Sequence, residues 1–157
     1  MSKKKSTREK LMAREEKIHV ITPEWEHKYG KGKLLVPHPR DIENIVNTTN
    51  KGELLTNDII RDLLAKERKV QVTDPISVGI FLKILGEVAE EERLEKKESI
   101  TPYWRVLKPD GSINIKFHGG VKYQEELLRA EGFELLPPKG KKPPKVADFE
   151  KFLKTYG

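Results

Sequence analysis

The stretch from Ile100 to Glu131 constrains the fold of this chain more than any other part of its sequence. It begins with proline, two aromatic residues and arginine at 102–105, and it reaches a Lys-Pro-Asp-Gly sequence at 108–111. Proline and glycine in that order favour a tight hairpin turn. A Gly-Gly pair at 119–120 then opens a helical pattern. The apolar residues of that pattern share one side, at Tyr123, Leu127, Leu128 and Ala130. The order predicts a turn, a hairpin and a helix in succession.

Another helix is predicted to begin at Asp74, because aspartate is a favoured N-cap and proline at position 75 suits the first turn. At about 100° per residue, the pattern that follows separates into two faces. One face is a core stripe made of Val78, Phe81, Leu82, Leu85, Val88 and Ala89. The opposite face carries Ile76, Gly79, Ile80 and Lys83, with Ser77 at its margin. Such a second face is what a DNA-reading helix presents to a groove, while the alternative is a helix buried on all sides beneath residues 18–39.

Two shorter helices are predicted before this one. The first starts at Asp41 and places Ile42, Ile45 and Val46 on one face. The second is capped by Thr56, and its buried face is formed by Ile59, Ile60, Leu63 and Leu64.

The motifs occur in an order that resembles a known family. The order is Pro-x-x-Arg-Val, an Asp-Gly hairpin, an aromatic residue before Gly-Gly, and a helix that ends Leu-Leu-x-x-Glu-Gly. It resembles the DNA-binding domain of alkylguanine-DNA alkyltransferases, the methylated-DNA–protein cysteine methyltransferase family. In that family the turn reads Pro-Cys-His-Arg-Val, and the cysteine accepts the alkyl group of a flipped guanine. This chain has no cysteine, and Tyr103 stands at that position. It is therefore similar to the alkyltransferase-like branch, which keeps the fold and the base pocket without the nucleophile.

The resemblance covers about residues 41–132 and implies a fold and a set of site residues. The implied fold is mainly α with small β elements (α+β), a winged helix-turn-helix domain whose Asp74 helix enters the minor groove. The implied base pocket consists of Tyr103, Trp104, Val106, Phe117 and His118. The implied DNA contacts are Thr56, Asn57, Pro75, Ile76, Ser77, Gly79, Ile80, Lys83 and Arg105, although in the family the arginine of the turn is largely structural.

Four positions bear on how far the family's chemistry carries over. Asn57 stands where the family has a tyrosine, and Ile76 where it has an arginine that fills the space left by the flipped base. Trp104 replaces the histidine of the family's relay, whereas Glu131 matches its glutamate. Alkyl transfer needs an activated sulfur, and a phenol with a pKa near 10 is a poor acceptor.

Recognition by aromatic faces is therefore the expected role, rather than catalysis. The alternative is that the two aromatic residues of the turn are ordinary core residues.

The net charge of +6 is confined to the two ends of the chain. Residues 1–17 and 137–157 each carry +4, so the centre is slightly acidic. The tails can add salt-sensitive attraction to a polyanion, or serve only solubility. We expect no disulfide, no metal and no cofactor, since cysteine is absent and the four histidines have no ligand spacing. Without a membrane span or signal peptide, we expect a monomer that is cytoplasmic and associated with the nucleoid.

Four segments are predicted. They are a basic flexible arm at 1–17, an extension at 18–40 that packs on the core, the alkyltransferase-like domain at 41–136, and a basic Pro-rich linker with a C-terminal amphipathic helix at 137–157. The function expected from the resemblance is non-enzymatic binding of alkylated guanine or DNA, as a flag for a downstream repair protein. The alternative is a winged-helix module that binds DNA, RNA or protein with no lesion recognition.

Overall fold

A computed structural model describes residues 5–156 of the chain. Its α-helices are α1 (Thr7–Met12), α2 (Glu26–Tyr29), α3 (Pro39–Asn47), α4 (Asn57–Arg68), α5 (Pro75–Leu94) and α6 (Gly120–Ala130). Its strands are β1 (Lys17–Val20), β2 (Lys33–Val36), β3 (Leu55–Thr56), β4 (Val72–Thr73), β5 (Val106–Leu107), β6 (Leu135–Leu136) and β7 (Lys145–Val146). Short 3-10 turns lie at Pro23–Trp25, Tyr103–Arg105 and Phe149–Phe152. The predicted class, mainly α with small β elements, is confirmed.

Helix α5 is the central element, and its predicted start is confirmed. The carboxylate of Asp74 accepts hydrogen bonds from the backbone N–H groups of Ile76 and Ser77, at 3.2 and 3.3 Å. An aspartate that binds these two otherwise unpaired donors fixes the first turn. The whole predicted core stripe is buried, and it packs against α3 and α4.

Two small sheets fix the ends of the helices. In the first, β2 pairs with β1 antiparallel and with β4 parallel, so the 17–36 hairpin is attached to the strand that leads into α5. In the second, β3 and β5 pair in parallel, which places the start of α4 beside the strand that follows the 103–105 turn. The predicted turn at 108–111 is also present, closed by a 2.8 Å hydrogen bond from Gly111 N to Lys108 O.

The first seventeen residues are not simply a flexible arm. Residues 1–4 lie outside the described part of the chain, but α1 follows, and its Leu11 is 2% exposed within the main core. The guanidinium of Arg8 bonds the carboxylates of Glu43 and Glu92, each at 2.8 Å. The many charged residues of this segment favoured a flexible arm, but Leu11 and Arg8 hold its short helix on the core.

The predicted C-terminal amphipathic α-helix does not form. Strands β6 and β7 make an antiparallel hairpin, and the chain then makes only the 3-10 turn at Phe149–Phe152. The reason lies in Leu54, whose N–H donates to Phe152 O and whose carbonyl accepts from Lys154 N, at 2.8 and 2.9 Å. The segment's backbone is therefore bonded to another part of the fold instead of to itself.

Two carboxylates near the C-terminal end of α5 are buried, although an acidic run of this kind is typical of a solvated helix end. Glu90 and Glu92 both lie inside, where each is held by more than one donor. Within residues 5–156, no helix combines the length and the apolar composition that a bilayer crossing requires. Over the same range, no three acidic or histidine side chains are grouped in a way that could hold a metal ion.

Candidate functional site

The 103–105 turn lies between α5 and α6, and its first residue fills the space between them. Tyr103 is 1% exposed. Its ring contacts Trp104 and Phe117 edge to face, with centroids 5.4 Å away in both cases. On the α5 side it lies so close to Gly86 that a Cβ there would be 3.1 Å from the ring. The ring therefore has no free face on which a base could stack.

This packing corrects the predicted base pocket. Tyr103, Val106 and Phe117 are brought together, as expected, but as buried members of the main core. The alternative of ordinary core aromatics describes Tyr103, whereas Trp104 is only partly buried against the core. His118 is exposed and lies at the edge of a cavity of about 350 Å³ that also touches Glu90 and Tyr123. A second cavity, of about 620 Å³, also lies against the turn and is lined by Pro102, Trp104 and Arg105 together with side chains of α1, α3 and α5.

Glu90 links the turn to both neighbouring helices. It accepts hydrogen bonds from the hydroxyls of Tyr103 and Tyr123, both at 2.7 Å, and from Arg93 Nε at 2.8 Å. Burial pushes the pKa of Glu90 upward, but the bonds from Arg93 and the two tyrosines outweigh it and hold that pKa below its ordinary value. Burial and the neighbouring Glu90 carboxylate raise the pKa of Tyr103 far above its ordinary value. The phenol is a fixed hydrogen-bond donor and not a nucleophile.

Sequence reasoning missed Glu90. Its only sequence signal was membership of an acidic run, which is typical of a solvated helix end. Its two tyrosine partners lie 13 and 33 positions further along the chain, so nothing local indicated the contact.

On the other side of the turn, Trp104 and Glu131 occupy the relay positions implied by the resemblance. Trp104 Nε1 donates to Glu131 at 2.5 Å, and Arg105 Nε donates to the same carboxylate at 2.9 Å. The carboxylate also accepts from the backbone N–H of Gly52 at 3.1 Å. An indole N–H can only donate, so Trp104 cannot take up a proton as an imidazole at this position could. The arrangement anchors the turn to the end of α6.

These bonds hold the side chain of Arg105 inside the protein, which argues against its predicted contact with DNA. Its side chain is 11% exposed, and its second arm donates to the carbonyl of Thr49 at 2.8 Å. Thr56 is also buried, so its side chain does not reach a DNA backbone outside the protein. The neighbouring Asn57 is half-buried, and its Oδ1 is enclosed without a hydrogen-bond partner in the described structure. Among the predicted contacts, the exposed side chains lie on α5, and a contact through the half-buried Asn57 stays a prediction.

The outer face of α5 is open. Ile76 is 64% exposed, Ile80 is 49% exposed, and Lys83 follows them at the helical spacing. Gly79 lies between them, and a Cβ built there meets nothing within 4 Å. Pro75 and Ser77 are half-buried at the start of the helix, where the Ser77 hydroxyl donates to Asp74. The alternative in which residues 18–39 cover this face is wrong, and whether the face contacts DNA remains a prediction.

Comparison with known proteins adds one result. No protein-family model matches the chain, and neither does any curated protein. Among solved structures, the chain resembles the crystal structure of S. pombe Atl1 in complex with damaged DNA containing O6-carboxymethylguanine. The TM-score is 0.53 at 16% identity, over 75% of this chain and 94% of the Atl1 chain. The two proteins share a fold.

Proposed function

We propose that this chain is a non-enzymatic DNA-binding protein that recognises damaged DNA, with the outer face of α5 in the minor groove. The supporting observation is that Ile76, Ile80 and Lys83 are exposed together on the outer face of α5. Apolar side chains of this kind wedge into base steps from the minor groove, and a lysine beside them adds a phosphate contact. The fold is shared with Atl1, which was crystallised with damaged DNA.

The chemistry of the turn supports binding without alkyl transfer. The sequence contains no cysteine, and Tyr103 at the corresponding place holds its proton against a buried carboxylate. The protein would act as an alkyltransferase-like winged helix-turn-helix domain that marks a modified guanine. In this role it would be a monomer on nucleoid DNA in the cytoplasm, and a downstream repair protein would read the complex.

Titrations of a duplex with and without one O6-alkylguanine test the proposal. Lys83→Ala is expected to weaken binding to both duplexes and to lower the slope of log affinity against log salt by about 1, because one phosphate contact is lost. Lys10→Ala is the matched control, since this exposed lysine lies in α1, beside the opposite end of α5. Equal loss in the two lysine variants, or no binding by the wild type, would contradict the placement of DNA on α5.

A second candidate function is favoured by the filled space around Tyr103. A winged-helix module that binds nucleic acid or protein without lesion recognition needs no stacking ring at this position, and the buried Tyr103 has no free ring face there. The same titrations separate the two functions. Equal affinity for alkylated and plain duplexes supports the second, whereas a clear preference for the alkylated duplex supports the first.

A further inference from the structure

The 17–36 hairpin and the first turn of α5 enclose a surface cavity of about 420 Å³. We call it the hairpin cavity. Its apolar walls are formed by Val20, Trp25, Tyr29, Leu34, Val36 and Ile76. The volume lies in the range of about 300–1,000 Å³ that is typical of sites for small ligands and cofactors. DNA binding by the outer face of α5 does not by itself require this cavity.

The sheet explains why the cavity lies next to α5. Strand β2 pairs with β4 in parallel, with Leu34 opposite Val72, and β4 leads directly into the Asp74 cap. The chain between β1 and β2 forms the turn and short helix that carry Trp25 and Tyr29. One wall is therefore the hairpin and the other is the start of the α5 outer face.

The aromatic residues of the cavity are arranged for stacking. The rings of Trp25 and Tyr29 lie 6.1 Å apart and nearly parallel, at 22°. Trp25 is 50% exposed, so a large part of its surface is open to a ligand. The ammonium of Lys28 lies 5.2 Å from the Tyr29 ring and 5.9 Å from the Trp25 ring. An open indole with a cation beside it suits a planar, electron-rich ring attached to a negative charge.

The basic charge of the hairpin favours nucleic acid over an apolar peptide as the occupant. Residues 17–36 contain four lysines and two glutamates. Lys28 and the helix-capping Asp74 line the cavity itself, while Lys17 and Lys33 lie on the strands of the hairpin. Ile76 is shared by the cavity and by the α5 outer face, so DNA held on that face passes the mouth of the cavity. Tyr103, in contrast, is buried and has no free ring face.

We propose that the hairpin cavity binds an unpaired nucleobase of the DNA held on α5, stacked on Trp25 with Lys28 beside its phosphate. This inference rests on the proposed function and specifies where the extruded base goes. Stacking on an aromatic side chain accounts for about 5- to 100-fold in affinity per base. The cavity is expected to prefer a base that is extruded from the DNA duplex, since a paired base cannot reach it.

The test uses the full chain and two duplexes that differ by one unpaired 2-aminopurine, a fluorescent base that is quenched when it stacks. The wild type is expected to bind the duplex with the unpaired base about 5- to 100-fold more tightly and to quench its fluorescence. Trp25→Ala is expected to lose both effects while it keeps the affinity for the fully paired duplex. Trp25→Phe, which retains a ring, is the matched control and keeps most of both effects. Trp25 is exposed, so circular dichroism of both variants should match the wild type.

Each other outcome has a distinct meaning. Preference and quenching that persist in Trp25→Ala overturn the hairpin cavity as the base site, while binding to α5 stands if Lys83→Ala still weakens it. A wild type that binds neither duplex removes the proposed function together with this inference. Concentration-dependent self-association that Trp25→Ala abolishes, with no change in DNA binding, would overturn the inference in favour of a protein interface.

Discussion

The hydroxyl of Tyr103, in the 103–105 turn, donates a 2.7 Å hydrogen bond to the carboxylate of Glu90 on α5. Both groups are buried, and the bond joins the 103–105 turn to α5. The position at which the resembling family has its reactive sulfur is thus occupied by a structural contact. The role of this contact in stability can be measured separately from any role in DNA binding.

Removal of the Tyr103 hydroxyl is expected to destabilise the protein. Tyr103→Phe leaves a buried carboxylate short of one donor, which costs about 1–3 kcal/mol of unfolding free energy. Tyr123→Phe removes the other tyrosine donor to Glu90, but at a half-buried position beside a cavity, where water can replace it, so a smaller loss is expected. Urea denaturation of both variants measures the difference. Equal losses of unfolding free energy in the two variants would show that burial does not make the Tyr103–Glu90 bond more important for stability than the Tyr123–Glu90 bond.

The contact between Gly86 and Tyr103 predicts opposite effects for two Gly→Ala changes in one helix. At Gly79 a Cβ meets open space, so alanine is expected to stabilise α5 by about 0.5–1 kcal/mol. At Gly86 the Cβ would lie 3.1 Å from the Tyr103 ring. Overpacking typically costs about 1–3 kcal/mol, which is more than the gain in helix propensity, so Gly86→Ala is expected to destabilise the protein. Thermal unfolding of the two variants should show shifts of opposite sign, and a stabilised Gly86→Ala would indicate that the ring moves away freely.

The lowered pKa of Glu90 predicts that the free energy of unfolding falls in acid. Its pKa is held below the ordinary 4.5 in the folded protein, so the folded state binds fewer protons than the unfolded state as the pH falls. The stabilisation is complete above the ordinary glutamate pKa and disappears as the pH falls through the folded-state value. Glu90→Gln is expected to flatten this part of the profile of unfolding free energy against pH. Glu126→Gln, at an exposed position on α6, is the control, and an identical change in both profiles would contradict the role of Glu90.

The anchor of α1 predicts that the N-terminal segment contributes to stability. Arg8→Ala leaves Glu43 and Glu92 without their shared partner, and its partly exposed position limits the expected cost to about 1–3 kcal/mol. Arg8→Lys is expected to recover only part of the loss, because an ammonium cannot span both carboxylates as the guanidinium does. Lys10→Ala, on the same helix, should stay within about 0.5 kcal/mol of wild type. Chemical denaturation measures all three, and an unchanged Arg8→Ala would mean that α1 is not held by this contact.

The sequence determined the parts of the fold that depend on neighbouring residues. The Asp74 cap and the hairpin turn at 108–111 were predictable because the groups that bond are only a few positions apart. The order of the motifs from 102 to 132 also indicated a fold that the chain shares with Atl1. Helical spacing alone gave a wrong result at the C-terminus, where Val146, Phe149 and Leu153 fit a helix but the backbone pairs with Leu54.

Only the tertiary structure decided which groups meet across the chain. Local patterns cannot show that Glu90 lies between two tyrosines, because a glutamate in a charged run looks the same whether it is solvated or buried with donors. Nor could they show that Ile76 and Ile80 remain open while Tyr103 is enclosed, because hydrophobicity predicts burial for all three. Whether a side chain is exposed depends on which other parts of the chain pack against it. In this protein the exposed side chains are those of the candidate DNA surface on α5 and the ring of Trp25, whereas Tyr103 is buried.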